Sequence, residues 1–208
     1  MSIALYGSRG SGSAAIEMAL RASALDYELI QASSWEPESR YQELLQVNPL
    51  GQIPSLRLAD GTVLSESAAI LIHLGLQYPQ SGLLPSEPSL RAQHLRGLVY
   101  IAANCYAAVS VSDFPAQWTT SPEQAAHEAV KAAARAKLHQ AWAVFADVFG
   151  PLLHESEPGA LAFLAVVVSQ WLGSRAYLQA NQPEFFQSSL ELEAQPRLAA
   201  TLRQHRDA

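Results

Sequence analysis

Two short segments of this 208-residue chain place polar groups where a small charged ligand can be held. The first, Asn48-Pro49-Leu50-Gly51-Gln52-Ile53-Pro54, sets two prolines and a glycine directly before a strand-like run. Read plainly, it is a tight loop. Read with a cis bond at Pro54, a form taken by roughly one X-Pro bond in twenty, it turns the N–H and C=O of Ile53 toward solvent, where such edge groups can bind a peptide. The second, Leu64-Ser65-Glu66-Ser67-Ala68-Ala69-Ile70, opens an apolar helix with polar residues. Ser65 as N-cap and Glu66 beside the positive helix end would be ordinary capping. Taken together, a helix N-terminus with a serine hydroxyl suits an anion and a nearby carboxylate suits an ammonium group. An α-amino acid head carries both charges.

Other chemistries lack their residues. Cys105 is the single cysteine, so there is no internal disulfide, Cys-x-x-Cys pair or thiolate metal cage, and its apolar helical surroundings read as packing. The histidines at 73, 94, 127, 139, 154 and 205 show no metal-ligand spacing, and no metal is expected. A net charge of -6 with scattered Lys and Arg leaves no stripe for a phosphate backbone, so nucleic acid is not an expected partner. The longest apolar run, Ala160 to Val168, is far short of the roughly 20 residues that cross a bilayer and reads as a buried core helix, with no membrane partner. Met1 to Gly10 has no basic patch followed by an apolar stretch, and a cytoplasmic location is expected.

The elements that must carry these segments change character along the chain. Ile3 to Tyr6 and Tyr27 to Ile30 read as strands, separated by a helix whose Ala15, Met18, Ala19, Ala22 and Leu25 share a face. A helical segment follows around Tyr41 to Gln46. Ser55 to Leu58 and Thr62 to Leu64 then read as a hairpin across Asp60-Gly61, and a helix runs from about Glu66 to Leu76. This β-α-β, α, β-β-α order is thioredoxin-like. After Pro88 the periodicity is helical throughout, with helices expected over Pro88 to Val111, from Ser121 (N-cap) to Gly150-Pro151, Ala160 to Leu178, and Glu193 to Gln204. The expected division is an α/β thioredoxin-like unit over 1–78, a Pro/Gly/Ser-rich linker over 79–87 and an all-α unit over 88–208.

With Leu5-Tyr6-Gly7-Ser8-Arg9-Gly10-Ser11, the N-P-L-G-Q-I-P loop and the S-E-S-A-A-I helix start in this order, the chain resembles the cytosolic, bacterial-type glutathione transferases. The match is specific over residues 3 to about 78. It is weaker beyond, resting on the helical pattern and the Trp171 and Glu193 to Leu202 regions. The resemblance implies glutathione as cosubstrate, with Glu66 and Ser67 on its γ-glutamyl head, Ile53 at Pro54 pairing with its cysteinyl backbone, and Gln52 reaching the glycyl end. It implies a catalytic hydroxyl at Ser11, which lies in the loop before the helix five residues after Tyr6 as in serine-type branches; the alternative is Tyr6, used by other branches but placed here at a strand end where an aromatic commonly packs. Ser11 is equally able to cap a helix, unless Ser13 does so. A hydrophobic electrophile would lie near Arg9, Tyr106, Phe114 and Trp118, residues that could instead be domain packing. A homodimer and a role in detoxification come with the resemblance.

Two departures from the family pattern stand out. Glu17 and Met18 occupy first-helix positions where many relatives carry basic residues. The usual capping box before the core helix is replaced by Glu157-Pro158-Gly159-Ala160-Leu161. The implied activity is activation of the glutathione thiol for conjugation, dehalogenation, ether cleavage, peroxide reduction or isomerisation. The alternative is a noncatalytic transferase-like binding or regulatory module, since a fold hosts many functions. A dithiol reductase lacks its cysteines.

Overall fold

The computed structural model describes residues 2–154 and 157–206, so Met1, Asp207 and Ala208, the ends of the two expected units, lie outside the described residues. Strand β1 (Ile3–Gly7) carries apolar side chains on both faces: Leu5 joins the main core, while Ala4 and Tyr6 join a smaller cluster with Ile30, Ala32 and Leu44. That two-sided burial suits an interior strand. β1 pairs in parallel with β2 (Tyr27–Gln31), Leu5 opposite Leu29, and antiparallel with β3 (Ser55–Arg57), Leu5 opposite Leu56. β3 continues antiparallel into β4 (Val63–Ser65), giving the order β2-β1-β3-β4. The β3–β4 turn is the expected Asp-Gly, closed by a Thr62 N–H donated to Asp60 Oδ1 at 2.8 Å.

Helix α1 (Ser13–Ala22) differs from the one-faced helix expected, because Ser13 through Leu20 are all buried. It lies between β1 and helices α3 (Ser67–Gln77), α7 (Ala160–Val168) and α10 (Pro196–Arg206), and a helix covered all round loses its polar face. Helix α2 (Tyr41–Val47) covers the other face of the sheet through Leu44.

The second part is helical: α4 (Pro88–Tyr100), a π-helical turn over Ile101–Tyr106, α5 (Ala107–Asp113), α6 (Gln124–Phe149), α7, α8 (Ser174–Asn181), α9 (Pro183–Ala194) and α10. By length and composition alone the run Pro88–Asp113 could cross a bilayer; here it packs on α6 and α7. Element ends account for most departures from expectation. α6 starts at Gln124, since the Ser121 hydroxyl receives the Glu123 N–H in a turn before the helix and Glu123 takes the N-cap position. Gly150 is no left-handed cap; its φ of -51° keeps the chain helical, and Gly150–Leu153 tightens into a 3₁₀ turn. The run expected from Ala160 to Leu178 is two helices, α7 ending at Val168 and α8 beginning at Ser174, and in the turn between them Leu172 and Gly173 hold φ at 53° and 75°. The expected Glu193 to Gln204 helix straddles the α9–α10 junction, because Pro196 cannot continue a helix but can begin one. Where the capping box is missing, the Ala160 N–H is donated to the Leu83 carbonyl at 2.9 Å. A Cβ on Gly159 would lie 2.7 Å from that same oxygen, so the close backbone approach requires glycine.

One apolar cluster runs through both parts, from Leu5, Ile16 and Leu71 to Leu98, Trp142 and Phe163. Phe145 is at its aromatic centre, fully buried, with ring contacts to Tyr100, Trp142, Phe149 and Phe185. Phe145→Ala is expected to cost about 3–5 kcal/mol in denaturant unfolding, by lost transfer energy plus a cavity. A loss below ~1 kcal/mol would mean the helices close over the gap.

Candidate functional site

A cavity of about 760 Å³ opens between the sheet-bearing part and the helices, a size that suits a small organic ligand. Three segments distant in sequence form one side of it: Gly10–Gly12, Gly51–Pro54 and Ser65–Ser67. Each is built differently.

The Gly10–Gly12 loop links β1 to α1. The Ser8 carbonyl gathers it, accepting from the Ser11 hydroxyl at 2.7 Å and the Ser13 hydroxyl at 3.1 Å. Of the two serines that could cap the helix, Ser13 makes no cap bond, and the Ser11 hydroxyl receives the Ser13 N–H at 3.2 Å. Gly12 precedes the helix because a Cβ there would lie 2.2 Å from the Tyr106 hydroxyl oxygen. That phenol therefore sits directly over the start of α1.

The Gly51–Pro54 segment is shaped by Asn48. Its side-chain amide donates to the Gln52 carbonyl at 3.1 Å and to Ser55 Oγ at 3.0 Å, while Asn48 Oδ1 accepts the Leu50 N–H at 3.2 Å. The Ile53–Pro54 peptide is cis. At the third segment Ser65 belongs to β4, so it is not the N-cap of α3; Glu66 is, without a side-chain cap bond. Glu66 holds φ at +67°, a conformation that costs a non-glycine residue on the order of 1–3 kcal/mol and that concentrates at ligand sites. Its side chain is exposed, whereas Ser67 beside it is buried.

The helical wall contributes Tyr106, the last residue of the π-helical turn, with Asp113, Phe114 and Trp171. The Tyr106 ring meets Trp171 edge-on at 5.4 Å. Burial, reinforced by the charges of Glu66 and Asp113, raises the Tyr106 pKa, so its hydroxyl keeps its proton as a potential donor. Burial also raises the Asp113 carboxyl.

Of the residues expected at a site, Ser11, Gln52, Ile53, Pro54, Glu66, Ser67, Tyr106 and Phe114 line this cavity. Tyr6, Arg9 and Trp118 are not among its lining residues. Tyr6 is fully buried on the opposite face of the sheet, donating its hydroxyl to Glu43 at 2.8 Å beneath the Arg57 guanidinium. That placement follows from strand alternation, which sends Tyr6 away from its neighbour Leu5. Arg9 is exposed, and Trp118 lies in the exposed segment beyond α5. The sequence reading missed Asn48, whose role needs the folded loop, and Ser33 and Trp35 after β2, which no spacing marks. The Ser33 hydroxyl is buried with no hydrogen-bond partner among the described residues. No group of three potential metal ligands occurs among the described residues either.

The arrangement can hold a zwitterionic head at Glu66 and Ser67, an extended backbone along Ile53 and a reacting atom near Ser11. It supplies no thiol of its own. Cys105 is buried, and burial pushes its pKa up to about 12.

Residues 13–77 match the family described as glutathione S-transferase, N-terminal domain. The GST-like protein YncG of Escherichia coli K12 is 32% identical over 124 residues, 59% of this chain and 60% of that protein. A maleylacetoacetate isomerase of Pseudomonas aeruginosa is 30% identical over 120 residues, 56% of this chain and 57% of its own. The chain thus spans less than two thirds of the length of these curated relatives. Among solved structures, a glutathione transferase homologue from Sulfitobacter with bound glutathione superposes with a TM-score of 0.81 at 25% identity, covering 98% of each chain.

The high thiol pKa generates a direct expectation. Cys105 in the folded protein should resist alkylation at pH 8 and react freely once denatured, as mass spectrometry of the labelled protein would show. Rapid labelling of the native protein would place the thiol in solvent.

Proposed function

We propose that this protein is a glutathione transferase that binds glutathione through residues 1–78, joined by 79–87 to a helical unit over 88–208 that holds a hydrophobic electrophile. One observation carries the reading: the Gly51–Pro54 loop and the Ser65–Ser67 helix start, each suited to part of a γ-glutamyl tripeptide, line a single cavity with Ser11. Similarity to a glutathione-bound transferase homologue over nearly the whole chain supports it. In this reading Glu66 takes the γ-glutamyl ammonium, Ser67 and the α3 N-terminus take its carboxylate, Ile53 pairs with the cysteinyl backbone at Pro54, and Gln52 meets the glycyl end. Tyr106 and Phe114 face the electrophile. The thiol proton leaves to solvent, and the thiolate sulfur forms a bond to the electrophilic atom while the leaving group, halide in an aromatic halide, departs to solvent with the electron pair of the broken bond. The resemblance also carries a homodimer.

Ser11 acts by turning its hydroxyl from the Ser8 carbonyl to the sulfur. Ser13, whose hydroxyl already donates to that carbonyl, keeps it satisfied. A donor that stabilises thiolate over thiol lowers the thiol pKa. A hydrogen bond to a charged group is worth ~1.5–3 kcal/mol, about one to two units below a free thiol near 8.5. The rival reading, a noncatalytic binding module, draws on the same hydrogen bond: with Ser11 held on Ser8, the cavity would bind glutathione without activating it.

Two experiments test these roles. Glu66→Ala and Ser67→Ala should each weaken glutathione binding by ~1.5–3 kcal/mol in calorimetry; unchanged affinity with an intact fold would reduce both to helix-start residues. Ser11→Ala should shift the alkaline rise of kcat/KM toward the free-thiol pKa and slow turnover of an aromatic halide at pH 7, with Tyr6→Phe leaving the profile in place. Binding without turnover in the native protein would favour the noncatalytic module, and a shift in the Tyr6 variant alone would move the role to Tyr6.

A further inference from the structure

Helix α10 reaches the cavity loop through one side chain. His205 Nδ1 accepts the Gly10 N–H at 3.0 Å, and His205 Nε2 lies 2.7 Å from Glu17 Oε1. A ring nitrogen that accepts an N–H carries no proton, so Nε2 bears the hydrogen and donates it to Glu17. Both side chains are nearly dry, at 7% and 5% exposure. Glu17, the acidic departure in α1, is itself fixed: it accepts from the Tyr27 hydroxyl at 3.1 Å and lies 4.0 Å from the Arg21 guanidinium. Arg21 in turn donates to Gln204 of α10 at 2.7 Å.

The helix behind His205 is anchored at both ends. Arg197 donates to the Pro158 carbonyl at 2.9 Å and to the Ser81 carbonyl, while Arg206 pairs with Glu193, which also binds Arg175. Leu198 and Leu202 bury the face between. A firmly seated helix thus presents an acceptor to the backbone of Gly10, a cavity-lining residue with φ at +71° that immediately precedes Ser11.

We infer that His205 is a positioning residue: as the Nε2–H tautomer it latches the Gly10 amide and so fixes the loop that carries the Ser11 hydroxyl. Its two contacts differ in consequence. The Glu17 contact joins α10 to α1 and supports stability, whereas the Gly10 contact sets where the Ser11 hydroxyl sits. The catalytic part of this inference rests on the glutathione transferase reading; the latch itself does not.

The two contacts can be cut separately. In His205→Gln the amide nitrogen can reach Glu17 in place of Nε2–H, and the acceptor for Gly10 is lost; in His205→Asn the amide oxygen replaces Nδ1 for Gly10, and the Glu17 contact is lost. The Gln variant should keep its melting temperature, exchange the amides of the 8–12 loop about tenfold faster, and lose about tenfold in kcat at saturating glutathione, because small misplacements of a reacting group cost that much or more. The Asn variant should melt lower while keeping loop protection and kcat near the native values. Unaltered loop exchange in the Gln variant would overturn the latch, and faster exchange with native kcat would overturn the positioning role. A native protein that neither binds nor turns over glutathione sinks the functional reading alone, and loop exchange still decides whether His205 holds Gly10.

Discussion

Burial of α1 on every side is the constraint from which the remaining architecture follows, because a helix between a sheet and three other helices can neither rotate nor slide without opening the core. Ala14, Ala15 and Ala19 let its neighbours approach closely, and Ile16, Met18 and Leu20 fill the space between them. Its N-terminal loop is thereby held at the cavity beneath Tyr106. The same enclosure makes Glu17 costly unless it is bonded, and His205, Tyr27 and Arg21 converge on it for that reason. The polar anchor and the cavity loop are two outcomes of one packing decision.

The sheet-bearing part was largely legible in the sequence because its signals are short and local. The short apolar run Ile3 to Tyr6, the Asp60-Gly61 turn and the proline loop each mark a boundary within a few residues. The helical part was less so. Periodicity reports that a segment is helical, but its ends are decided by which carbonyls and hydroxyls meet which N–H groups in three dimensions. Ser121 illustrates this: its sequence reads as a cap, yet its hydroxyl is taken by a turn. At Leu172, a leucine holding positive φ, nothing in the residue type announces the break.

The cavity shows the same split. Ile53, Pro54, Glu66 and Ser67, which line the cavity, were recognisable as candidates because a proline loop and a polar helix start are marked by the residue types around them. The loop position favours Ser11 over Tyr6, but where the Tyr6 ring goes depends on Leu44 and Glu43, from a helix dozens of residues away. Asn48 and His205 act through bonds to backbone, which any sequence offers everywhere, and the choice of partner exists only in the fold.

The single apolar cluster that crosses from Leu5 to Phe163 has a thermodynamic corollary. Neither part can shed its partner without exposing the hydrophobic side chains that they cover for each other, so the interface behaves as core rather than as a docking surface between independent bodies. Separating the two parts therefore costs the burial of the apolar side chains they share, from Leu5 and Leu71 to Leu98 and Phe163. A ligand in the cavity consequently raises the free energy of the whole chain's unfolding, by an amount set only by its concentration and affinity. Heat stability becomes a direct readout of occupancy.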